Sequence, residues 1–284
     1  MIDKPFVTLN IESLGAGVQS STILFMSDRG DLPKLTAAIM SDTMSEPAEV
    51  YKWLEFLKRE IRTIPIHIVS KGDLALDSLV VKLSKKSGKW YQKNLIPWFV
   101  KNPDGSDGFM MRKCTAEYKI REVIKKTREL VGPAEIRRWR KATKAGLNPP
   151  PLVRCWIGIS ADEPTRAKPS REPWIENVFP LLDRGITRDG CMEIMKSYNL
   201  PEPPRSSCVF CPYHSDAEWV RLKRTAPEDF IAAVLFERAV HKAAEKDEVT
   251  KGTLWLHAKR IPLDEVVLNG DDTFGYNCDG FCST

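Results

Sequence analysis

The sequence predicts a doubly wound α/β domain, an open and mostly parallel twisted sheet with helices on both faces. Three observations predict it. An alternating apolar run (Val7, Leu9, Ile11) leads through Ser13-Leu-Gly-Ala-Gly-Val-Gln-Ser-Ser21 into an amphipathic segment. A second run, Leu35 to Ser41, leads to Glu46-Pro47 and then to Val50, Trp53, Leu54, Leu57 and Ile61 at helical spacing. A third run, Ile64 to Val69, follows. Strands alternating with helices imply parallel strands joined by right-handed crossovers.

The first helix is expected from about Val18, with Ile23, Leu24 and Ser27 on one face, and a stop at Gly30. Residues 84–112 break the rhythm: Lys, Gly, Asn, Pro and Asp dominate, interrupted by Trp90, Tyr91, Trp98 and Phe99. A segment of that length suits a lid whose aromatics pack against something. A helix from about Thr115 to Leu130 would turn Ile120, Val123, Ile124 and Leu130 inward, and Val153 to Ser160 reads as a further strand. After Asp183 the chain becomes helical and cysteine-bearing. The expected division is therefore 1–184 as a nucleotide-binding α/β unit and 185–284 as a helical, cysteine-rich appendage closing on the site.

The chain has 284 residues, 29% of them charged and 42% hydrophobic, as in a globular protein that buries a sizeable core. Met-Ile-Asp-Lys-Pro at the start lacks the apolar core of a signal peptide, and no apolar run reaches spanning length. A cytoplasmic protein with no membrane partner is expected. The net charge of +5 is modest, but Arg137, Arg138, Arg140, Lys141 and Lys144 cluster around Trp139. A solvated helix face explains such a cluster, and a polyanion such as a nucleic-acid substrate is the alternative.

Three polar clusters fall at carboxyl ends of strands, where open parallel sheets bind ligands. Ser13, Gly15, Ala16, Gly17, Val18, Gln19 and Ser20 form a small-residue turn before a helix, which suits phosphate, though an ordinary βα turn looks the same. Asp42 offers a carboxylate to a ribose hydroxyl, an adenine amino group or magnesium. Asp162 and Glu163 supply acid groups, and Arg166 supplies a permanent charge for phosphate or sulfate. Seven cysteines without a secretion signal point to metal or redox chemistry. Cys208 and Cys211 form a Cys-x-x-Cys pair, Cys278 and Cys282 stand near the end, and Cys114 precedes a helix. Cys155 and Cys191 read as structural, and His214 lies near any metal bound at Cys211.

Together these features resemble the PP-loop superfamily of adenine-nucleotide α-hydrolase-like proteins, especially the phosphoadenylyl-sulfate (PAPS) reductase branch and its phage and prophage relatives. Gly15-Ala-Gly-Val-Gln-Ser20 stands where the family writes Ser-Gly-Gly-x-Asp-Ser, so Gln19 replaces an aspartate. Ser41-Asp42-Thr43 with Glu46 is similar to the family's Asp-Thr-Gly segment. Gly158 to Glu163 with Arg166 is similar to its Gly-x-Arg-x-x-Glu-x-x-Arg region. Cys114 with Lys119 resembles the cysteine-and-lysine segment of the iron–sulfur members, which carry adjacent cysteines there. The resemblance implies ATP or PAPS as substrate and a [4Fe–4S] cluster on Cys114, Cys208, Cys211 and Cys282, with zinc as the alternative metal. It implies Cys278 or Cys282 as a thiolate nucleophile, Arg166 on the leaving phosphate, and a thiol or sulfur donor as partner. Two other readings stay open: adenylation of a nucleobase followed by sulfur or nitrogen transfer, and a metal-stapled binding module without catalysis.

Overall fold

The computed structural model describes residues 4–88, 90–247 (side chains through 245) and 252–269. The chain begins β1 (Leu9–Ser13), α1 (Val18–Arg29), β2 (Ala37–Asp42), α2 (Ala48–Glu60) and β3 (Ile66–Ser70). It continues through α3 (Leu74–Ser78) and four short strands, β4 (Val81–Leu83), β5 (Trp90–Gln92), β6 (Phe99–Lys101) and β7 (Asp107–Phe109). A π-helical turn, Thr115–Ile120, runs into α4 (Arg121–Val131), followed by α5 (Pro133–Lys144), β8 (Val153–Ile157) and β9 (Ile175–Val178). The remainder is α6 (Pro180–Asp183), α7 (Arg188–Ser197), α8 (Asp216–Thr225), α9 (Pro227–Asp247) and β10 (Thr253–Trp255).

The main sheet has the order β3-β2-β1-β8-β9, and every pairing in it is parallel. The chain steps outward from β1 to β3 and then returns to β8 on the other side of β1. That reversal makes a topological switch point between β1 and β8. Side chains alternate between faces along each strand. Ala38 and Met40 join a cluster with Ile23 and Leu24 of α1, Leu54 and Leu57 of α2, and Cys191 and Met195 of α7. Ile39 joins the opposite cluster with Val123 of α4 and Ile136 and Trp139 of α5. Helix α7 thus packs on the first cluster, although it follows the expected division at residue 184.

Helix α1 stops where its sequence says: Gly30 adopts φ 88° and its N–H turns back to the carbonyls of Met26 and Ser27. It has no wet face, however, because Val18 and every residue from Ser20 to Ser27 are buried. Short hydroxyl side chains make this tolerable by finding partners. Thr22 Oγ1 donates to the Val18 carbonyl at 2.9 Å, and Trp53 Nε1 donates to Ser21 Oγ at 2.8 Å.

Residues 84–112 are not one loop. They hold β5, β6 and β7, and Trp98 is buried and stacks on Phe236 at 5.5 Å. A third apolar cluster draws Leu74, Trp98 and Tyr118 together with Phe210, Trp219 and Phe236, so two distant stretches of chain share one core. The π turn shifts the helical phase ahead of α4, and Ile120, expected inward, is 37% exposed. No helix among the described residues is long and apolar enough to cross a membrane.

Candidate functional site

The turn after β1 lies at the switch point. Leu14 N–H donates to the Ile39 carbonyl at 2.9 Å, which holds the strand end in the sheet. Ala16 then takes φ 55°, a left-handed conformation costing a non-glycine residue about 1 kcal/mol or more, while fully buried. The first backbone bond of α1 runs from Ser21 N–H to the Gly17 carbonyl at 2.9 Å. The amides of Val18, Gln19 and Ser20 therefore have no acceptor within the helix. No side chain caps this end and no acidic residue stands in its first turn. The positive end of the dipole is left uncompensated by carboxylates of the first turn.

Gly158, just beyond β8, explains how closely the two strand ends approach. A Cβ there would lie 2.9 Å from Ser20 N and 3.2 Å from the Gln19 carbonyl carbon. Only glycine lets the β8 end rest on the α1 backbone. Gln19 spans the same gap with its side chain: Nε2 donates to Ser160 Oγ at 3.4 Å, and Oε1 accepts from Arg188 Nη1 at 3.1 Å. Arg188 makes no ion pair with a carboxylate among the described residues. Its charge therefore stands beside the open helix end, where an anion is favoured. Arg188 also borders a cleft of about 480 Å³ shared with Lys52, Trp53, Arg205 and Arg221. Segment 203–207 covers the turn from above, with Ser206 Cβ 3.5 Å from where a Gly17 Cβ would be.

The acidic candidates are largely engaged by the protein. Asp42 Oδ1 accepts from Met44 N–H at 2.7 Å and from Tyr51 Oη at 2.9 Å. Burial, with Asp42 as acceptor and neighbouring charge, pushes the Tyr51 phenol well above its ordinary value, so it stays a donor. Asp162 Oδ1 accepts from Arg188 N–H at 3.1 Å at the start of α7. Glu163 is paired with Arg166. Glu46, 5% exposed, meets Lys119 Nζ at 3.1 Å and accepts from Ser206 Oγ at 3.2 Å, tying segment 203–207 to the sheet rim.

The cysteines divide. Cys191 is fully buried against α1, where burial pushes its thiol up to about 12. Burial pushes the Cys155 thiol up to about 12 as well. Cys208 sits at the β2 rim with its Sγ 3.3 Å from Thr43 Oγ1. Its thiol is raised by burial first and then by Glu46, and Cys114 and Cys208 both pack against the cluster of Trp98, Tyr118 and Phe210. Cys211 N–H donates to the Cys208 carbonyl at 3.0 Å. His214 Nε2 meets Ser207 Oγ at 3.1 Å. Among the described residues no group of three or more His, Cys, Asp or Glu is placed to hold a metal ion. Cys114, Cys208 and Cys211 are by themselves one donor short of the four that zinc or a [4Fe–4S] cluster takes. Cys278 and Cys282 lie outside the described residues.

Two site residues escaped the sequence reading. Arg188 opens a helix behind Thr187, whose Oγ1 caps it by accepting from Gly190 N–H at 3.1 Å. The Thr-Arg-Asp-Gly start was a signal for a helix, not for a contact with residue 19. Ser206 carried no signal beyond its place between Pro203-Pro204 and Cys208.

Fold and site define a class: a doubly wound α/β protein with an uncapped helix N-terminus at its switch point and Arg188 held beside it by Gln19. No protein-family model matches the chain, and no curated protein matches it either. Among solved structures, the chain is similar to phosphoadenylyl-sulfate (PAPS) reductase from Candida auris in its phosphate complex. Identity is 10%, over 71% of this chain and 77% of that one, with a TM-score of 0.31. At that TM-score the likeness carries no weight for this chain's activity.

Proposed function

We propose that the chain is a PP-loop-type enzyme that binds an adenine nucleotide with its phosphates against residues 15–20 and Arg188. The uncapped α1 terminus at the switch point, beside an arginine with no carboxylate partner among the described residues, carries this reading. Asp42 Oδ2, which has no partner among the described residues, is available to a ribose hydroxyl or adenine amino group. Gln19 brings no charge to magnesium and is held by Arg188, so the guanidinium supplies the positive charge beside the phosphates. PAPS-type sulfur chemistry or adenylation of an acceptor both begin from such binding. A [4Fe–4S] cluster or zinc needs ligands beyond Cys114, Cys208 and Cys211, and the proposed binding uses neither.

Thermal unfolding with ATP, adenosine 3′,5′-bisphosphate and PAPS tests the reading. A nucleotide at about a hundred times its Kd adds about 2.7 kcal/mol, a rise of roughly 5–10 °C for a domain of this size. The rise should not require magnesium, and Arg188→Met should abolish most of it while leaving the unliganded Tm within about 2 °C. No shift with any of the three nucleotides would refute the proposal. Product analysis then separates the reactions: adenosine 3′,5′-bisphosphate with sulfite marks a reductase, and AMP with pyrophosphate marks an adenylating enzyme. Equal iron and acid-labile sulfide in anaerobically purified protein would support the cluster; zinc without iron would exclude it.

A further inference from the structure

The stretch 78–103 contains no Asp or Glu and six lysines: Lys82, Lys85, Lys86, Lys89, Lys93 and Lys101. Its first part folds into the β4–β5 ribbon, which pairs with no third strand among the described residues. Two-stranded hairpins are marginal on their own, and this one is anchored by Gln92, 5% exposed, whose Nε2 donates to the Ser78 carbonyl at 2.7 Å. Yet this one displays apolar groups on both faces. Leu83 stands opposite Trp90, and both are half exposed; Lys82 stands opposite Tyr91, which is 44% exposed. Lys82, Lys85 and Lys86 are exposed and make no ion pair among the described residues. Exposed aromatic rings interleaved with unpaired cations give a planar stacking surface and a phosphate-binding surface side by side.

The other basic stretch of the chain lacks this combination. On α5, Trp139 is 7% exposed and its Nε1 donates to the Pro150 carbonyl at 2.9 Å. Arg138 there lies over the Phe6 ring at 3.9 Å and pairs with Glu135. Its cations remain, but no ring is offered to a base.

We propose that the β4–β5 ribbon binds single-stranded nucleic acid, with unpaired bases stacking on Trp90 and Tyr91 and the backbone phosphates meeting Lys82, Lys85 and Lys86. The strand is single because stacking on both faces of a ribbon requires bases free of their partners. The surface shares no residue with 15–20 and Arg188, so the ribbon variants test it apart from nucleotide binding.

The test is fluorescence anisotropy with the full chain and a labelled oligo-dT of about 20 nucleotides, beside the matching duplex and anionic lipid vesicles. Binding is expected to weaken from about 50 to about 200 mM salt with a log–log slope of about −2, as three lysines neutralise three phosphates. Lys82→Glu/Lys85→Glu/Lys86→Glu and, separately, Trp90→Ala/Tyr91→Ala should each weaken it about tenfold or more, with the melting temperature and ATP response unchanged. Charge reversal of Arg137 and Arg140 on α5 should leave it within about twofold. Wild-type affinity in both ribbon variants would overturn the proposal. So would equal affinity for duplex, or vesicle binding or ribbon-dependent self-association in place of oligo-dT binding.

Discussion

Replacing Glu12 by methionine is expected to stabilise the protein, and to do so increasingly as the pH rises above 4.5. Glu12 lies on β1 between Ala38 of β2 and Trp156 of β8, fully buried, and neither carboxyl oxygen has a hydrogen-bond partner among the described residues. Burial raises its carboxyl well above the ordinary value of 4.5. Between that ordinary value and the raised one, the unfolded chain has lost the proton and the folded chain keeps it. Folding then takes up a proton, and stability falls by about 1.4 kcal/mol for each pH unit across the window. Its contribution is fullest below the unfolded value and is lost as pH climbs toward the folded one. Methionine fills similar volume, needs no hydrogen bond and does not titrate. Urea unfolding of both proteins from pH 4 to 8 measures the difference, from which every other titrating group cancels. Parallel stability curves would show that Glu12 is not held neutral.

Gly158→Ala should disable the candidate site from the side opposite the loop. The new Cβ would stand 2.9 Å from Ser20 N and 3.2 Å from both the carbonyl carbon and Cβ of Gln19. These are mostly backbone atoms of a buried helix, so the β8 end or the α1 terminus must move. Overpacking of this kind costs about 1–3 kcal/mol, or several degrees of melting temperature. The displacement also parts Gln19 from Ser160 and moves the free amides, so the ATP-induced rise should fall to near zero. Gly252→Ala is the control. Its Cβ would stand 2.8 Å from the Lys101 carbonyl oxygen, at the β10–β6 pairing, away from the switch point. It should lower the melting temperature comparably and leave the ATP response intact. A full ATP response in Gly158→Ala would remove the β8 end from the site.

What could be read along the chain was set by short-range physics. The end of α1 at Gly30, the apolar stripe of α2 and the turn at Ser13 to Gly17 each depend on residues within a few positions. The β4–β5 ribbon was harder, because three-residue strands have too few alternations to show a period, and Trp90 and Trp98 look alike in sequence though one is exposed and one buried. On α5 the basic residues Arg137, Arg140, Lys141 and Lys144 form the solvated face expected of them, while Pro150 and the opposite core cluster claim the Trp139 ring, which its neighbours in sequence do not show. Asp162 and Glu163 read as ligand groups from their place at a strand end. Whether a carboxylate there faces a ligand or a helix start depends on α7, which arrives from residues 188–197.

The sequence by itself determined that β1 leads through a small-residue turn into α1, and that position 19 holds an uncharged glutamine. Tertiary structure alone decided that β8 lies beside β1, that Gly158 rests on Ser20, and that Arg188 reaches Gln19. The reason is separation along the chain. Periodicity and turn chemistry act over a few residues, whereas Gln19 and Arg188 are 169 positions apart and meet only because the sheet reverses its order between them.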